Sequence, residues 1–304
     1  KGVTNSQNPA DISLSPEESL KRITVPDGFH VTLFAGEPDL RRPIAFDFDD
    51  RGRLWVVENY SHPKWQKDNA TDRILILEDT DNDGQFDKRK VFWDKGRYLT
   101  GIAVGHGGVW IANTPELSFI PDSDGNDIPD GEPVAMLDGF QKSSNNVINN
   151  FHWGPDGWIY GLEGFATPSK IRKPNSETKL YSHKDEFPAD LLDADGVDIN
   201  GGVWRYHPTK KEFEVVAHGF SNPWGIDYDA KGQIFISACV IPHLFHVVPG
   251  GIFHRQGGKH FNPYVYSDIR TIVNHRHRSA HGGARVYLSD AFSQEQQGRL
   301  FMAN

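Results

Sequence analysis

The sequence has 304 residues, of which 37% are hydrophobic and 12% aromatic, which is enough apolar material for a packed core and excludes disorder for most of the chain. The formal net charge of −9 argues against a nucleic-acid-binding surface, and no apolar run reaches the length of about 20 residues that a transmembrane helix needs. Cys239 is the one cysteine, which excludes a disulfide framework, a thiolate zinc site and a CxxCH haem attachment within this chain.

The N-terminal part differs from the rest in composition. Residues 1–22 are polar and lack periodicity apart from a short helical pattern at Pro16–Arg22, so we interpret them as an N-terminal arm. An ordered domain is predicted over residues 23–304. Within it, Phe29–Ala35 alternates in polarity and predicts a closing strand that pairs with the last repeat.

One unit recurs through the domain: a strand, a tight turn rich in Asp and Gly, and a second strand centred on an aromatic or aliphatic residue. The copies are Pro43–Asn59, Thr100–Asn113, Phe151–Gly164, Pro223–Ala238 and Gly283–Asn304. Their central residues are Trp55, Trp110, Ile159, Phe235 and Phe301.

The spacing of these centres is typical of four-stranded blades with insertions of variable length. It predicts an all-β fold, a β-propeller of the six-bladed type, because hairpins that cannot bury both faces alone must stack around an axis. The last blade is expected to be incomplete, with its remaining strands beyond Asn304. A β-sandwich with regular turns is the alternative.

The strongest local motif is a DxDxDGxxD run, whose alternate carboxylates can converge on one hard cation. It predicts a calcium site formed by Asp79, Asp81, Asp83, Gln85 through its carbonyl, and Asp87. Lys90 stands where an EF-hand requires Glu, and the flanks Arg73–Glu78 and Arg89–Trp93 are predicted strands, so we expect a calcium hairpin loop. A solvated acidic turn without metal is the alternative.

A second, weaker copy follows 43 residues later and could hold a cation through Asp122, Asp124, Asn126 and Asp130. Here Asp127 stands where glycine is preferred, so metal and an empty acidic turn are equally supported. A third acidic run, Asp193–Asp198, is interpreted as an ordinary turn because Val197 occupies a ligand position.

Histidines are concentrated near the C-terminal end of the sequence. Seven of the 14 lie within 39 residues, at His243, His246, His254, His260, His275, His277 and His281, and Arg276 and Arg278 interleave with them. We expect these insertions to meet at one mouth of the central channel, where imidazoles can bind metal or act as bases and guanidiniums can bind carboxylates. Separate, structurally satisfied histidines are the alternative for each residue.

Four segments together resemble a known family: Gly154–Gly164, Gly201–Pro208, His218–Gly225 and Ser279–Tyr287. They resemble the propeller domain of bacterial proteins catalogued as membrane-bound dehydrogenases, which is distantly similar to soluble quinoprotein glucose and aldose-sugar dehydrogenases. The resemblance covers residues 23–304. It implies a periplasmic or secreted location and an arrangement in which helical repeats and a cytochrome-type haem domain follow the propeller.

The quinoprotein residues transfer only in part. The catalytic histidine of those enzymes falls at Asn145 and Asn146, whereas His152 lies nearer the turn. Their Arg-Asn-Pro quinone-binding element appears with serine in place of arginine and keeps Asn222, and their acidic stretch is replaced by a segment that contains His243 and His246. These departures argue against an intact pyrroloquinoline quinone site.

The sequence therefore supports two hypotheses. The first is a sugar- or alcohol-oxidising module whose base is His152, His243 or His246. Its cofactor-binding candidates are Asn222, His275, Arg276, His277, Arg278 and His281. The second is a non-enzymatic, calcium-stabilised propeller that binds polysaccharide or a protein partner.

Overall fold

The computed structural model describes residues 12–63, 68, 70–141, 147–164, 167–173, 195–239, 242–254, 264–273 and 281–303, and almost all regular structure there is β. A short helix, α1 (Pro16–Leu20), lies within the predicted helical pattern. It begins with a capping box, in which the Ser15 hydroxyl accepts from the Glu18 N–H and the Glu18 carboxylate accepts from the Ser15 N–H.

Three sheets of four antiparallel strands form successive blades. Blade 1 consists of β1 (Pro43–Phe48), β2 (Leu54–Glu58), β3 (Asp72–Glu78) and β4 (Lys88–Gly96). Blade 2 consists of β5 (Leu99–Val104), β6 (Gly108–Asn113), β7 (Glu116–Pro121) and β8 (Val134–Leu137). Blade 3 consists of β9 (Asn149–Trp153), β10 (Ile159–Glu163), β13 (Gly202–His207) and β14 (Glu212–His218). Between β10 and β13 the chain forms a separate hairpin of β11 (Ser169–Ile171) and β12 (Val197–Ile199).

Two smaller sheets continue the series. Blade 4 consists of β15 (Pro223–Tyr228), β16 (Ile234–Ala238) and β17 (Leu244–Val247), and is followed by the short parallel pair β18 (Phe253–His254) and β19 (Ser267–Asp268). A fifth hairpin consists of β20 (Gly282–Val286) and β21 (Leu300–Ala303), with a 3-10 helix at Gln294–Gln296 between them. All five predicted hairpins are therefore present.

The hydrophobic core lies between blades rather than within one. One buried cluster joins Trp55 of blade 1 to Ile111 of blade 2, and a second joins Trp110 of blade 2 to Trp204 of blade 3. A third joins blade 3 to Phe245 of blade 4. Because each sheet buries apolar side chains against the next sheet, stacking around an axis is the arrangement that removes them from water.

The first strands of the five units lie side by side around that axis, in the order β1, β5, β9, β15 and β20. Gly225 in β15 permits the last of these approaches, because a Cβ there would lie 2.4 Å from the carbonyl carbon of Gly283 in β20. This radial order confirms the predicted β-propeller.

The blade count differs from the prediction in the described residues, which form four blades of three or four strands and one further hairpin. The six-bladed type, with its last blade incomplete, stays a prediction. No helix in the described ranges is long and apolar enough to cross a membrane.

The segment Phe29–Ala35 also differs from the prediction, because it contains no strand. Phe29 packs edge-on against Phe292 in the connection of the fifth hairpin, with ring centroids 5.2 Å apart. Phe34 accepts one backbone hydrogen bond from Phe86 in the first aspartate loop, at 3.2 Å. The segment thus joins the fifth hairpin to blade 1 through aromatic contacts and isolated hydrogen bonds instead of a β ladder.

Candidate functional site

A cavity of about 830 Å³ lies where the first strands of the five units meet. Its lining is mainly apolar and includes Ile44, Phe46, Ile102, Phe151 and Met302. The polar lining residues are Thr100, Asn150, Trp224, Cys239, His281 and Arg285. A mainly apolar cavity with a few converging polar groups is the usual form of a small-molecule site.

One position in the first strand of each unit lies opposite the aromatic residue at the centre of the same hairpin. These five equivalent positions hold Asp47, Ala103, His152, Asp227 and Arg285. The partner in the third hairpin is Tyr160, one residue after the predicted centre Ile159. The propeller geometry therefore places residues from distant parts of the sequence at the same height along the propeller axis.

His152 forms the central contact of this group. Its Nε2 lies 2.9 Å from Oδ1 of Asp227, and the two side chains are 28% and 10% exposed. The imidazole is also stacked on the ring of Tyr228, with centroids 5.7 Å apart. His152 is therefore held in a fixed orientation while part of its ring stays accessible.

Arg285 occupies the other side of the imidazole, with Nη1 3.3 Å from Nδ1 of His152. A guanidinium can only donate, so Nδ1 is the acceptor and the Nε2–H of the neutral imidazole donates to Asp227. The pair of neighbours thus sets the tautomer, as the carboxylate does in a catalytic His–Asp pair.

Asp227 also ties blade 4 to the fifth hairpin. Its Oδ1 accepts from the N–H of Tyr228 at 2.8 Å, and its Oδ2 accepts from the N–H of Val286 at 2.7 Å. Burial acts to raise the pKa of Asp227, but the hydrogen bond from His152 and the two backbone donors outweigh it, so the pKa is lowered. Asp227 is therefore ionised at neutral pH.

Asp47 repeats this arrangement between blades 1 and 2. It accepts from the N–H of Phe48 at 2.9 Å and from that of Val104 at 2.8 Å. For Asp47, burial raises the pKa despite these donors and the more distant charge of Arg285. Both aspartates link neighbouring blades, and Asp227 in addition holds the histidine.

A second polar group lies at the start of β20. The rings of His243 and His281 are stacked with centroids 3.9 Å apart, and both residues are fully buried. The Cys239 thiol donates to the carbonyl of His281 at 3.0 Å, and burial raises the pKa of this thiol. The structure thus brings two of the predicted histidines together beside the cavity.

Asn222 belongs to the same group. Its carbonyl accepts from the N–H of Cys239 at 2.9 Å, and its side-chain oxygen accepts from the indole of Trp224 at 2.7 Å. Asn222 has a φ of +50°, a conformation that asparagine tolerates better than most residues. Its amide therefore positions Trp224, which lines the cavity.

His246 does not lie with these residues. It is exposed on β17, where its Nε2 contacts Oε1 of Gln233 at 2.8 Å and its ring lies against Phe235. The expectation that His246 faces the channel is wrong, because strand alternation places it on the side opposite the buried neighbours. His275, Arg276, His277, Arg278, Asn145 and Asn146 lie outside the described residues.

The first aspartate loop connects β3 to β4, as the predicted flanking strands required. Oxygen atoms of Asp79, Asp81 and Asp87 all lie within 4.8 Å of one another, a separation that one cation can bridge. The Asp83 carboxylate instead accepts from the N–H of Gln85 at 2.8 Å. Three of the predicted carboxylate ligands are therefore already gathered.

The second loop connects β7 to β8 but does not gather its carboxylates in this way. Among the described residues, the first loop supplies the one cluster of at least three acidic, histidine or cysteine side chains at such separations. The Asn126 amide donates to Asp124 at 2.9 Å, and Ser123 donates its N–H to Asp130 at 2.8 Å. The carboxylates of Asp122, Asp124 and Asp130 are thus not gathered like those of the first loop, and a cation site there with Asn126 stays a prediction.

The cavity fits pyrroloquinoline quinone poorly. This cofactor carries three carboxylates, and Arg285 is the one permanently charged cation among the described lining residues. The remaining polar lining groups include the amide of Asn150 and the indole of Trp224, which cannot neutralise the other two carboxylates. The described residues therefore do not form a complete quinone site.

Sequence reasoning identified His152 but missed Asp227 and Arg285. Each lies two or more residues inside a predicted first strand, at the position opposite its hairpin's aromatic centre. Aligning the five hairpins by register would have revealed a column of polar residues where a core strand normally holds apolar ones.

A model of the family described as "Domain of unknown function (DUF7133)" matches residues 15–304. No curated protein matches the chain. Similar solved structures include the PQQ-bound form of aldose sugar dehydrogenase from Streptomyces coelicolor, with a TM-score of 0.53 and 14% identity over 84% of this chain and 73% of that one.

Another similar structure is the iodide structure of a Carbohydrate-Active Enzymes Family AA12 protein from Trichoderma reesei, with a TM-score of 0.52 and 11% identity over 76% of this chain and 59% of that one. A luciferin-regenerating enzyme has a TM-score of 0.50 and 10% identity over 87% of this chain and 69% of that one. The expected distant similarity to quinoprotein sugar dehydrogenases is confirmed, and at these identities it concerns the fold.

Proposed function

The chain belongs to the family described as a domain of unknown function, DUF7133, and on that premise we propose that it is a dehydrogenase-like module that oxidises a sugar or another alcohol in its central cavity. The observation that supports this proposal most directly is the His152–Asp227 contact of 2.9 Å. This contact orients an imidazole that also bonds to Arg285, and Arg285 lines a cavity large enough for a monosaccharide.

His152 acts as the base in this proposal. The Nε2–H remains hydrogen-bonded to Asp227, so Nδ1 is the nitrogen that can accept a proton. A substrate hydroxyl takes the place that Arg285 Nη1 holds at 3.3 Å from Nδ1. As the carbonyl forms, the hydroxyl proton passes to Nδ1 and a hydride leaves the carbon with its electron pair. Asp227 stabilises the resulting imidazolium.

The hydride needs a two-electron acceptor of the nicotinamide, flavin or quinone class, which another molecule or domain supplies. A partner with a cytochrome-type haem domain is part of the proposal, and its haem would re-oxidise that acceptor one electron at a time. A periplasmic or secreted location is also part of the proposal. Both rest on the resemblance of the four segments rather than on the cavity. The mismatch with pyrroloquinoline quinone makes an external acceptor the simpler arrangement for the described residues.

Ca²⁺ bound in the first aspartate loop has a structural role in this proposal. The loop lies between β3 and β4, and Gly84 packs near Thr32 of the N-terminal segment, with the hydroxyl oxygen 3.2 Å from the position a Cβ would take. Binding of the ion by Asp79, Asp81 and Asp87 would therefore fix the loop against this segment.

The test is dye-linked oxidation of a panel of sugars and polyols by the purified protein. The variant His152→Asn should lower kcat/KM by about a hundredfold or more, the usual contribution of a general base. His246→Asn is the matched control, because this exposed histidine lies outside the cavity, and it should retain the wild-type rate. Added pyrroloquinoline quinone with Ca²⁺ should not increase the rate.

Equal rates for His152→Asn and His246→Asn would contradict the assigned base. The alternative function is a non-enzymatic propeller that binds polysaccharide or a protein partner, and the incomplete quinone site of the described residues favours it. A wild-type protein that binds oligosaccharides but reduces no dye with any substrate would establish this alternative.

A further inference from the structure

Arg285 is a cation without a matching anion in the described part of the chain. It lines the cavity from β20, its residue is exposed, and no described carboxylate lies within 4.0 Å of its guanidinium. Its hydrogen bond goes to Nδ1 of His152 at 3.3 Å, a neutral acceptor. A guanidinium offers five donors in a planar fork, so most of its donor capacity points into the cavity or to solvent.

The carboxylates at the same level are already committed. Asp227 bonds to His152 and to the N–H groups of Tyr228 and Val286. Asp47 bonds to two backbone N–H groups, and burial raises its pKa, which reduces its value as a counter-ion. Arg285 acts on Asp47 only from beyond 4.0 Å, and Asp227 is bonded to His152, so the guanidinium can accept the carboxylate of a ligand as a contact partner.

The surroundings strengthen that attraction. Phe46, Phe151 and Phe301 line the same cavity, and apolar walls lower the local dielectric in which a charge pair forms. A carboxylate that accepts two parallel N–H bonds from a guanidinium gains both geometry and charge assistance. The cavity thus provides one well-defined place for an anionic group.

We propose that the cavity binds a 2-hydroxy acid, with its carboxylate on Arg285 and its hydroxyl on Nδ1 of His152. Nη1 of Arg285 lies 3.3 Å from Nδ1, so a carboxylate that binds the guanidinium in place of this contact leaves Nδ1 to a hydroxyl on the adjacent carbon atom. Sugar acids of the aldonate type have this arrangement, and they also present further hydroxyls to Asn150 and Thr100. This inference rests on the proposed function for the role of the hydroxyl, but the binding mode itself is independent of oxidation.

Binding can be measured by calorimetry with D-gluconate and, as the matched neutral ligand, D-sorbitol. The wild-type protein should bind D-gluconate roughly tenfold to a hundredfold more tightly, the usual range for a charge-assisted bidentate contact. Arg285→Gln should remove this preference, and Arg285→Lys should keep part of it. Arg299→Gln, which removes an exposed arginine of the same hairpin that pairs with Glu295, should leave the preference unchanged.

The outcomes separate this inference from the proposed function. A preference for D-gluconate that persists in Arg285→Gln overturns the inference, and so does equal binding of the two ligands by the wild type, which needs no variant to fold. If the preference depends on Arg285 but no dye is reduced with D-gluconate, the ligand class stands and the oxidation fails. His152→Asn should keep the preference, since the carboxylate contact does not involve the imidazole.

Discussion

The two aspartate loops share one hydrogen-bond pattern but differ in the contacts of one residue. The N–H of Asp83 bonds to Asp79 and Asp81, both at 3.2 Å. In the second loop, the N–H of Asn126 bonds to Asp122 at 3.1 Å and to Asp124 at 3.2 Å. The N–H groups of the next two residues in each loop bond to equivalent side chains. The N–H groups of Thr80 and Ser123 also match, because they bond to Asp87 and Asp130.

The difference lies at the sixth position. Gly84 and Asp127 both have positive φ, +86° and +64°, but Asp127 carries a carboxylate that receives both terminal nitrogens of Arg53 at 2.8 Å. Lys90 and Arg51 lie within 4.0 Å of the same carboxylate, and the hydrogen bond from Arg53 is the first cause of its lowered pKa. The second loop is therefore held by side chains of the neighbouring blade, whereas the first loop has glycine at this position.

The largest effect is expected from removing the Arg53–Asp127 contact of the second loop. Arg53 is 5% exposed and bonds to Asp49 as well as Asp127, so Arg53→Met leaves two carboxylates without their partner. Removing one member of such a buried pair costs about 3–5 kcal/mol. Denaturant unfolding should show this loss, whereas Arg51→Met, at a 53% exposed side chain beside the same carboxylate, should cost about 0–1 kcal/mol. Equal losses in the two variants would mean that the Arg53–Asp127 contact does not stabilise the fold.

The second prediction concerns the metal. Ca²⁺ at a hundred times its dissociation constant should stabilise the protein by about 2.7 kcal/mol, seen as a rise in Tm over a chelated sample. Asp81→Asn should abolish the rise, because Asp81 belongs to the gathered carboxylates of the first loop. Asp124→Asn changes the equivalent residue of the second loop and should retain it. A Ca²⁺ response lost in Asp124→Asn and kept in Asp81→Asn would reverse our assignment.

The smallest expected effect is on the pH dependence of stability and concerns the carboxyl of Glu163. Glu163 is fully buried, and burial raises its pKa well above the ordinary value of 4.5, although the Ser169 hydroxyl donates to it at 2.6 Å. Because the folded state holds this proton more tightly, its stabilising contribution is present at low pH and is lost as pH rises from the unfolded pKa through the folded one.

Glu163→Gln keeps a side chain of the same shape without the titration. Its free energy of unfolding should therefore fall less than that of the wild type between pH 5 and about pH 9, as measured by denaturant unfolding at each pH. Glu214→Gln is the control, because this carboxylate is 49% exposed and pairs with Arg205 at the surface. Parallel pH profiles for wild type and Glu163→Gln would show that Glu163 is ionised in the folded protein.

The sequence alone determined the local elements of this protein. The hairpins were predictable because alternation of polarity and turns such as Pro155-Asp156-Gly157 act within a few residues of one another. The gathering of Asp79, Asp81 and Asp87 was predictable for the same reason, since the three carboxylates lie within nine residues of one another. The stacking of His243 on His281 was expected only as convergence at a mouth, and the exposure of His246 was not foreseen.

Only the tertiary structure decided which residues meet. His152 and Arg285 are 133 positions apart, and Asp227 lies between them in the sequence, so no local pattern links the three. They meet because each blade buries its apolar face on the next blade, and this stacking aligns equivalent positions of the first strands around one axis. In the same way, Arg53 reaches Asp127 from the neighbouring blade, and that distant contact distinguishes two loops whose local sequences fold alike.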